Sequence, residues 1–149
     1  MTNETRLRTF LWFGGRLDEA LAFYQKVFRD MVIHGENRMS DGSLFTADFA
    51  IYGHEFIGMN WPGGPQFNES ISLSLSCDGQ EETDRLWAAL TADGKPGQCG
   101  WCTDPFGVTW QVTPIQMREH VENPDPEKAA YAMSALRDMT KIVIRDLYI

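Results

Sequence analysis

Cys99-Gly-Trp-Cys102 is a stretch whose spacing by itself suggests a chemistry. Two thiols at that separation can cycle between dithiol and disulfide, or hold two corners of a zinc site. A redox pair of this kind works from a helix N-terminus, where the dipole lowers the attacking thiol's pKa. Here the flanking residues read as a strand, on which residues three apart point to opposite faces and do not bridge easily. A zinc site would need a second pair, and the only other cysteine is Cys77. The cysteines therefore read as structural. His34, His54 and His120 share no ligand spacing, and His54 falls in a turn between Gly53 and Glu55. Glu81, Glu82 and Asp84 suit a helix start and its solvated face, and Asp104 suits the opening of the turn Asp104-Pro105-Phe106-Gly107. No residue earns a catalytic assignment on type and spacing alone.

The elements that would position these groups can be traced by period. Residues 7–13 are β-prone and end at Gly14-Gly15. Leu17, Ala20, Leu21, Tyr24, Val27 and Phe28 then recur at helical spacing, with Asp18 and Glu19 in the first turn, where they complement the dipole. Strand-like runs follow at 31–37, 43–51 and 55–61, separated by Ser40-Asp41-Gly42 and Tyr52-Gly53. Trp61-Pro62-Gly63-Gly64-Pro65 marks a joint. The pattern then restarts. Ile71, Leu73, Leu75 and Cys77 alternate with serines over residues 70–77. Asp78 is placed to cap a helix with Glu81 as its capping-box partner. Thr83, Leu86, Trp87 and Leu90 form that helix's stripe, and Gly94 ends it. Strands at about 99–103 and 108–113 complete the second copy, with Lys95-Pro96-Gly97-Gln98 as a connector. In the tail Asp125 and Pro126 start a helix whose stripe is Ala129, Ala132, Met133, Leu136 and Met139. That apolar segment must cover either its own domain or a symmetry mate.

The 149 residues suit one domain, with module 1 at about 7–61, module 2 at about 70–114 and a helical tail at about 115–149. A formal net charge of -8, without a Lys/Arg cluster, argues against a nucleic-acid partner. No apolar run is long enough to span a membrane. The N-terminus reads as an arm leading into a strand rather than a signal peptide. Three sparse cysteines fit a reducing cytoplasm.

The stretches LWFGGRLDEALAFYQKVF, SLSLSCDGQEETDRLWAAL, QCGWCTDPFGVTWQVTP and NPDPEKAAYAMSAL resemble, in this order, segments of the PhnB-like branch of the vicinal oxygen chelate superfamily. The resemblance implies an α+β fold: two βαβββ modules forming an open, cup-shaped mixed sheet with helices outside, plus a C-terminal helix. It also implies a homodimer. Some members carry the label demethylubiquinone 3-methyltransferase, yet the sequence lacks a Gly-rich strand-to-helix turn for a nucleotide-like cofactor. No cofactor is expected.

Glyoxalases and extradiol dioxygenases of that superfamily hold a metal inside the cup. Carried over by motif, their ligand positions fall near Thr9, near Gly58, near Ser70 or Ser72, and at Gln111. Strand parity puts Ser72 and Gln111 opposite Leu73 and Trp110/Val112, hence facing the cup. Thr, Gly, Ser and Gln are poor partners for a divalent ion, so no family-type metal is expected. What remains is a candidate pocket of Thr9, Trp12, Asn60, Ser72, Trp101 and Gln111, with Trp61 a further aromatic wall; each tryptophan has the alternative of being core. Three functions compete. The first is metal-independent binding of a small molecule, as in bleomycin-resistance proteins. The second is a lyase, oxidoreductase or isomerase using other residues of the cup. The third is a dimeric interaction protein with a vestigial site.

Overall fold

The apolar stripe of the first helix requires a sheet beneath it, and the chain supplies one within its first unit. The computed structural model describes residues 5–149, so residues 1–4 of the N-terminal arm lie outside the described residues. The first unit ends at Gln66 and contains β1 (Thr9–Trp12), α1 (Leu17–Val27), β2 (Met31–Arg38), β3 (Leu44–Ile51) and β4 (His54–Met59). Its strands lie in the order β1-β4-β3-β2, with β1 parallel to β4 and the other pairs antiparallel. Leu17, Ala20, Leu21, Tyr24 and Val27 are all buried. Tyr24 packs on Phe13 at 6.2 Å and on Phe49 at 6.4 Å between ring centres, which fixes the face of the sheet that α1 covers. The β3–β4 hairpin turns on Tyr52-Gly53, both left-handed at φ 50° and 79°. That two-residue loop matches the twist of the strands, and the Tyr52 ring is held edge-on to Phe28 at 5.8 Å.

The second unit begins at Phe67 and repeats the order: β5 (Leu73–Cys77), α2 (Gly79–Thr91), β6 (Lys95–Pro96), β7 (Trp101–Thr103) and β8 (Thr109–Pro114). Its sheet runs β5-β8-β7-β6, again with one parallel pair, β5 and β8. The chain thus has the expected α+β architecture, with two βαβββ modules and open four-stranded mixed sheets. Three details differ from expectation. The strand expected from residue 70 starts at Leu73, leaving Ile71 75% exposed outside the alternation. The expected connector at 95–98 contains β6, whose Lys95 and Pro96 pair with Thr103 and Cys102; as an edge strand it tolerates a proline. The capping-box partner of Asp78 is Glu82 rather than Glu81: Asp78 N donates to Glu82 Oε2 at 2.7 Å. The Asp78 carboxylate instead accepts from Gln116 Nε2 at 2.9 Å, and Gln116 Oε1 accepts from Gly79 N at 3.0 Å.

The tail adds α3 (Met117–Val121), five residues with neither a buried stripe nor a side-chain cap to mark them in sequence, then α4 (Pro126–Arg137) and a 3-10 turn at Ile144–Leu147. Asp125 caps α4 as expected, accepting from Glu127 N at 3.0 Å. Ala132, Ile142 and Leu147 form a buried cluster with Met117, Val121, Leu136 and Met139 packed against it. Met133, expected in that stripe, is exposed. Cys99 N and Gly100 N donate to Met139 O and Thr140 O at 2.8 and 2.7 Å. Gln80 clasps the same strap from α2, donating to Ile142 O at 2.9 Å and accepting from Ile144 N at 2.7 Å. The tail therefore docks on its own second unit. No helix among the described residues is long and apolar enough to cross a membrane.

Candidate functional site

Side chains alternate across a strand, so one contact to α1 assigns every position of the first sheet to a face. Leu11 and Phe13 are buried on the α1 side, which places Thr9 on that side and Phe10 and Trp12 on the open side. A Cβ added to Gly58 would stand 2.5 Å from Leu17 Cδ1, so Gly58 also faces α1. The expectation that these two positions line a cup is corrected by this parity. Thr9 Oγ1 lies 2.9 Å from His54 Nε2, and the His54 ring sits edge-on to Phe56 at 4.7 Å. Asn60 likewise serves the fold. Its Oδ1 accepts from Leu17 N at 3.0 Å, and its Nδ2 donates to Leu44 O at 3.0 Å and to Asp18 Oδ2 at 3.2 Å. Arg16, at the N-cap position, makes no side-chain cap bond, so Asn60 supplies the cap from β4's end. Trp12 donates from Nε1 to Trp61 O, and Gly64 fits against its ring where a Cβ would clash at 2.5 Å. Trp61 is half-exposed and meets Phe45 edge-on at 6.2 Å.

In the second sheet Ser72 and Gln111 have the expected parity, and Trp101 shares their face. Leu75, Cys77, Cys102, Trp110 and Val112 are buried on the α2 side. Gln111 is in register with Ser74 and with Trp101, which puts all three on the opposite face. Gln111 Nε2 donates to Ser72 Oγ at 2.8 Å. Ser72, Trp101 and Gln111 thus come together on one half-buried face, whereas Ser70 sits in a preceding turn held by Asn68 Oδ1.

The cysteine pair behaves as two separate residues. Cys99 lies in a turn before β7 rather than on a strand, at φ 57°, and its thiol donates to Leu136 O at 3.2 Å. Cys102 is buried; desolvation and then the Asp104 carboxylate push its thiol up to about 12. Burial, then Glu82, pushes Cys77 up to about 11. Neither buried thiol is poised to attack at neutral pH. Asp104 is 2% exposed and accepts from Phe106 N, Val108 N and Trp110 Nε1 at 2.9, 3.1 and 2.9 Å. It is the internal staple of its turn.

Two pairs on the open face of the first sheet have no signal in the local sequence. Arg8 Nη1 reaches Asp48 Oδ1 at 3.2 Å, and His34 Nε2 reaches Glu55 Oε1 at 3.1 Å. Each spans from one strand over its neighbour to the next, and a register shift at His34 makes the second possible. Glu55 was readable as a strand residue, but neither the strand order nor that shift has a local sequence signal. A carboxylate that accepts from Nε2–H leaves Nδ1 as a basic nitrogen, the arrangement a general base uses.

A glyoxalase-type metal does not fit these residues. Two of its four family positions face α1, and the other two offer a hydroxyl and an amide with no anionic donor. Among the described residues no three His, Cys, Asp or Glu side chains converge where they could hold an ion.

Comparison with known proteins agrees with this architecture. The chain is similar to the PhnB protein from Bacillus cereus, at 28% identity and a TM-score of 0.68, over 74% of this chain and 100% of that one. It is also similar in fold to protein PA1353 from Pseudomonas aeruginosa, at 21% identity and a TM-score of 0.60, over 74% and 98% of the two chains. An Arabidopsis thaliana gene product matches at 18% identity and a TM-score of 0.51, over 72% and 96%. No curated protein matches the sequence significantly. The family described as 3-demethylubiquinone-9 3-methyltransferase matches residues 5–113, so the match ends before the tail segment NPDPEKAAYAMSAL. The chain belongs to that family, the PhnB-like group of the vicinal oxygen chelate superfamily.

Proposed function

We propose that this protein binds a small neutral molecule on the open face of its second sheet, without a family-type metal, and works as a cytoplasmic homodimer. The supporting observation is the Ser72–Gln111 hydrogen bond beside Trp101. That bond uses one amide hydrogen of Gln111, and among the described residues it leaves the amide oxygen and the second hydrogen without a partner. A fixed donor and acceptor next to an indole suit a neutral ligand carrying an amide, lactam or hydroxyl on an apolar body. Three free thiols are compatible with a reducing compartment.

The test couples metal analysis to ligand screening. After dialysis without chelator the protein should carry no metal near one per chain, and nickel, zinc, manganese or iron(II) should leave its melting temperature unchanged. A panel of neutral lactams and amides, followed by tryptophan fluorescence, should yield binders that Gln111→Ala weakens by about tenfold without loss of fold. A stoichiometric tightly held metal, or binders indifferent to Gln111, would sink this reading.

The His34–Glu55 pair favours a second reading, an enzyme using acid–base chemistry on the first sheet. It requires turnover of some compound that His34→Gln abolishes while the binding panel is unaffected. Binding without turnover decides for the first reading.

A further inference from the structure

We propose that the neutral ligand of the second sheet is a polyhydroxylated ring, a pyranose sugar, seated from Trp101 and Gln111 into a cavity at the Thr103–Thr109 end of the same face. The inference rests on the reading that this face binds a small neutral molecule, and it names the class. Thr109 is in register with Thr103 and Gln111 with Trp101, so all four side chains share the face turned away from α2. Successive same-face residues on a strand lie about 7 Å apart, which makes the two rungs neighbours. The threonine rung forms part of the wall of a cavity of about 460 Å³, closed on other sides by Phe67 and by the turn of Asp104 and Gly107. That volume is within the ordinary range of ligand pockets and is ample for one sugar ring.

A sheet face that meets only water ordinarily carries Lys, Glu or Arg. On this one β5, β7 and β8 place serines, threonines, Gln111 and Trp101, with no charged residue among them. A hydroxyl both donates and accepts, so an uncharged array of hydroxyls and an amide complements a ligand that carries hydroxyls all round its ring. Trp101 suits the rest of such a ligand, because the negative face of an indole attracts the weakly positive C–H groups of a pyranose. Thr109 is the deepest of these groups. It is 5% exposed, and its hydroxyl has no hydrogen-bond partner among the described residues. No fully buried side-chain nitrogen or oxygen among the described residues lacks a partner, so this hydroxyl opens on the cavity rather than into the core. Thr103, directly opposite, is likewise without a side-chain partner among the described residues.

The charged groups of the wall do not select an ion. Glu69, Asp93 and Lys95 are exposed, are of both signs, and make no ion pair with a described residue. Water screens them, and a sugar hydroxyl can donate to either carboxylate or accept from the ammonium. Asp104, the buried carboxylate of the wall, accepts from Phe106 N, Val108 N and Trp110 Nε1 of its own turn. Three carboxylates against one ammonium disfavour an anion. The deep groups left for a ligand, the two threonine hydroxyls, hold no charge for a cation.

The probes are methyl glucoside, methyl galactoside and methyl mannoside, each titrated into the full chain and followed by amide and indole N–H chemical shifts. At least one should shift Trp101, Thr103, Thr109 and Gln111 in the millimolar range. Thr109→Val keeps the shape of the side chain and removes only a hydroxyl without a protein partner, so it should fold as the parent does and weaken that sugar about tenfold. Thr109→Ser, which returns the hydroxyl, should recover most of the loss. Cyclohexanol controls for hydroxyl number, glucuronate for negative charge and glucosamine for positive charge. No shifts with any of the three sugars at tens of millimolar, shifts only away from this face, unchanged binding in Thr109→Val or no recovery in Thr109→Ser would each overturn the proposal. So would cyclohexanol binding as tightly as the sugar, or either charged sugar binding about tenfold more tightly than the neutral one. Lactams or amides that bind through Gln111 where no sugar binds would overturn this inference and leave the neutral-ligand reading standing, whereas failure of both panels would sink both.

Discussion

Gln111 and Cys102 lie on neighbouring strands of one sheet and have opposite fates, decided by which face each occupies. Gln111 was legible in the sequence because the alternation of residues 108–113 gives its parity without coordinates. Asn60 was not: its amide fits a pocket or a helix cap equally well until the partner of Leu17 N is known. The cysteines were legible as structural, but not the place of Cys99: a turn at φ 57° separates it from the strand that buries Cys102. The thiols also give a pH prediction. The folded state holds the protons of Cys77 and Cys102 more tightly than the unfolded chain, whose thiols have the ordinary value of 9.0. This contribution to stability is full below pH 9.0 and is lost as pH rises through about 11 for Cys77 and about 12 for Cys102. Urea midpoints should therefore fall on the alkaline side, and less steeply in Cys102→Ala. Alkylation at about pH 8 should spare Cys77 and Cys102 in the folded protein and reach all three cysteines in denaturant. Ready labelling of Cys102 in the native state would contradict its burial.

Among the elements, the three longer helices were legible, and the short α3 and the sheet edges were not. Each of α1, α2 and α4 carries an apolar stripe or a cap that announces it, whereas the short edge strand β6 and the five-residue α3 lack both. Register and strand order, which create the Arg8–Asp48 and His34–Glu55 pairs, depend on contacts distant in sequence. The packing of α1 on its sheet gives a test of the face assignment. Gly58 meets Leu17 Cδ1 at 2.5 Å and Phe49 Cε1 at 3.3 Å when given a Cβ, and both of those residues are fully buried. Gly58→Ala should then overpack the interface and lower stability by about 1–3 kcal/mol, read as a drop in urea midpoint at constant slope. A neutral result would mean that Gly58 faces an open surface after all, and would restore it to the list of ligand-facing positions.

For the whole molecule the open question in the sequence was whether the tail covers this chain or another copy. Periodicity cannot decide it, because an apolar stripe fits either surface equally well. The structure answers through small features: Gly100 lacks the side chain that would exclude Ile142, and Gln80 has the reach to clasp the strap on both sides of Val143. Ile142 is 1% exposed and lies at the centre of the tail cluster. Ile142→Ala should cost roughly 2–5 kcal/mol through lost burial and the cavity it leaves. Because the strap is internal, the loss should appear as a lower denaturation midpoint, with hydrogen exchange rising first at Cys99, Gly100 and Ile144, whose amides donate the bonds that hold the strap. The sedimentation of the folded variant should match that of the parent at every concentration. A variant that keeps its midpoint but sediments as a smaller species would place the tail on a partner instead.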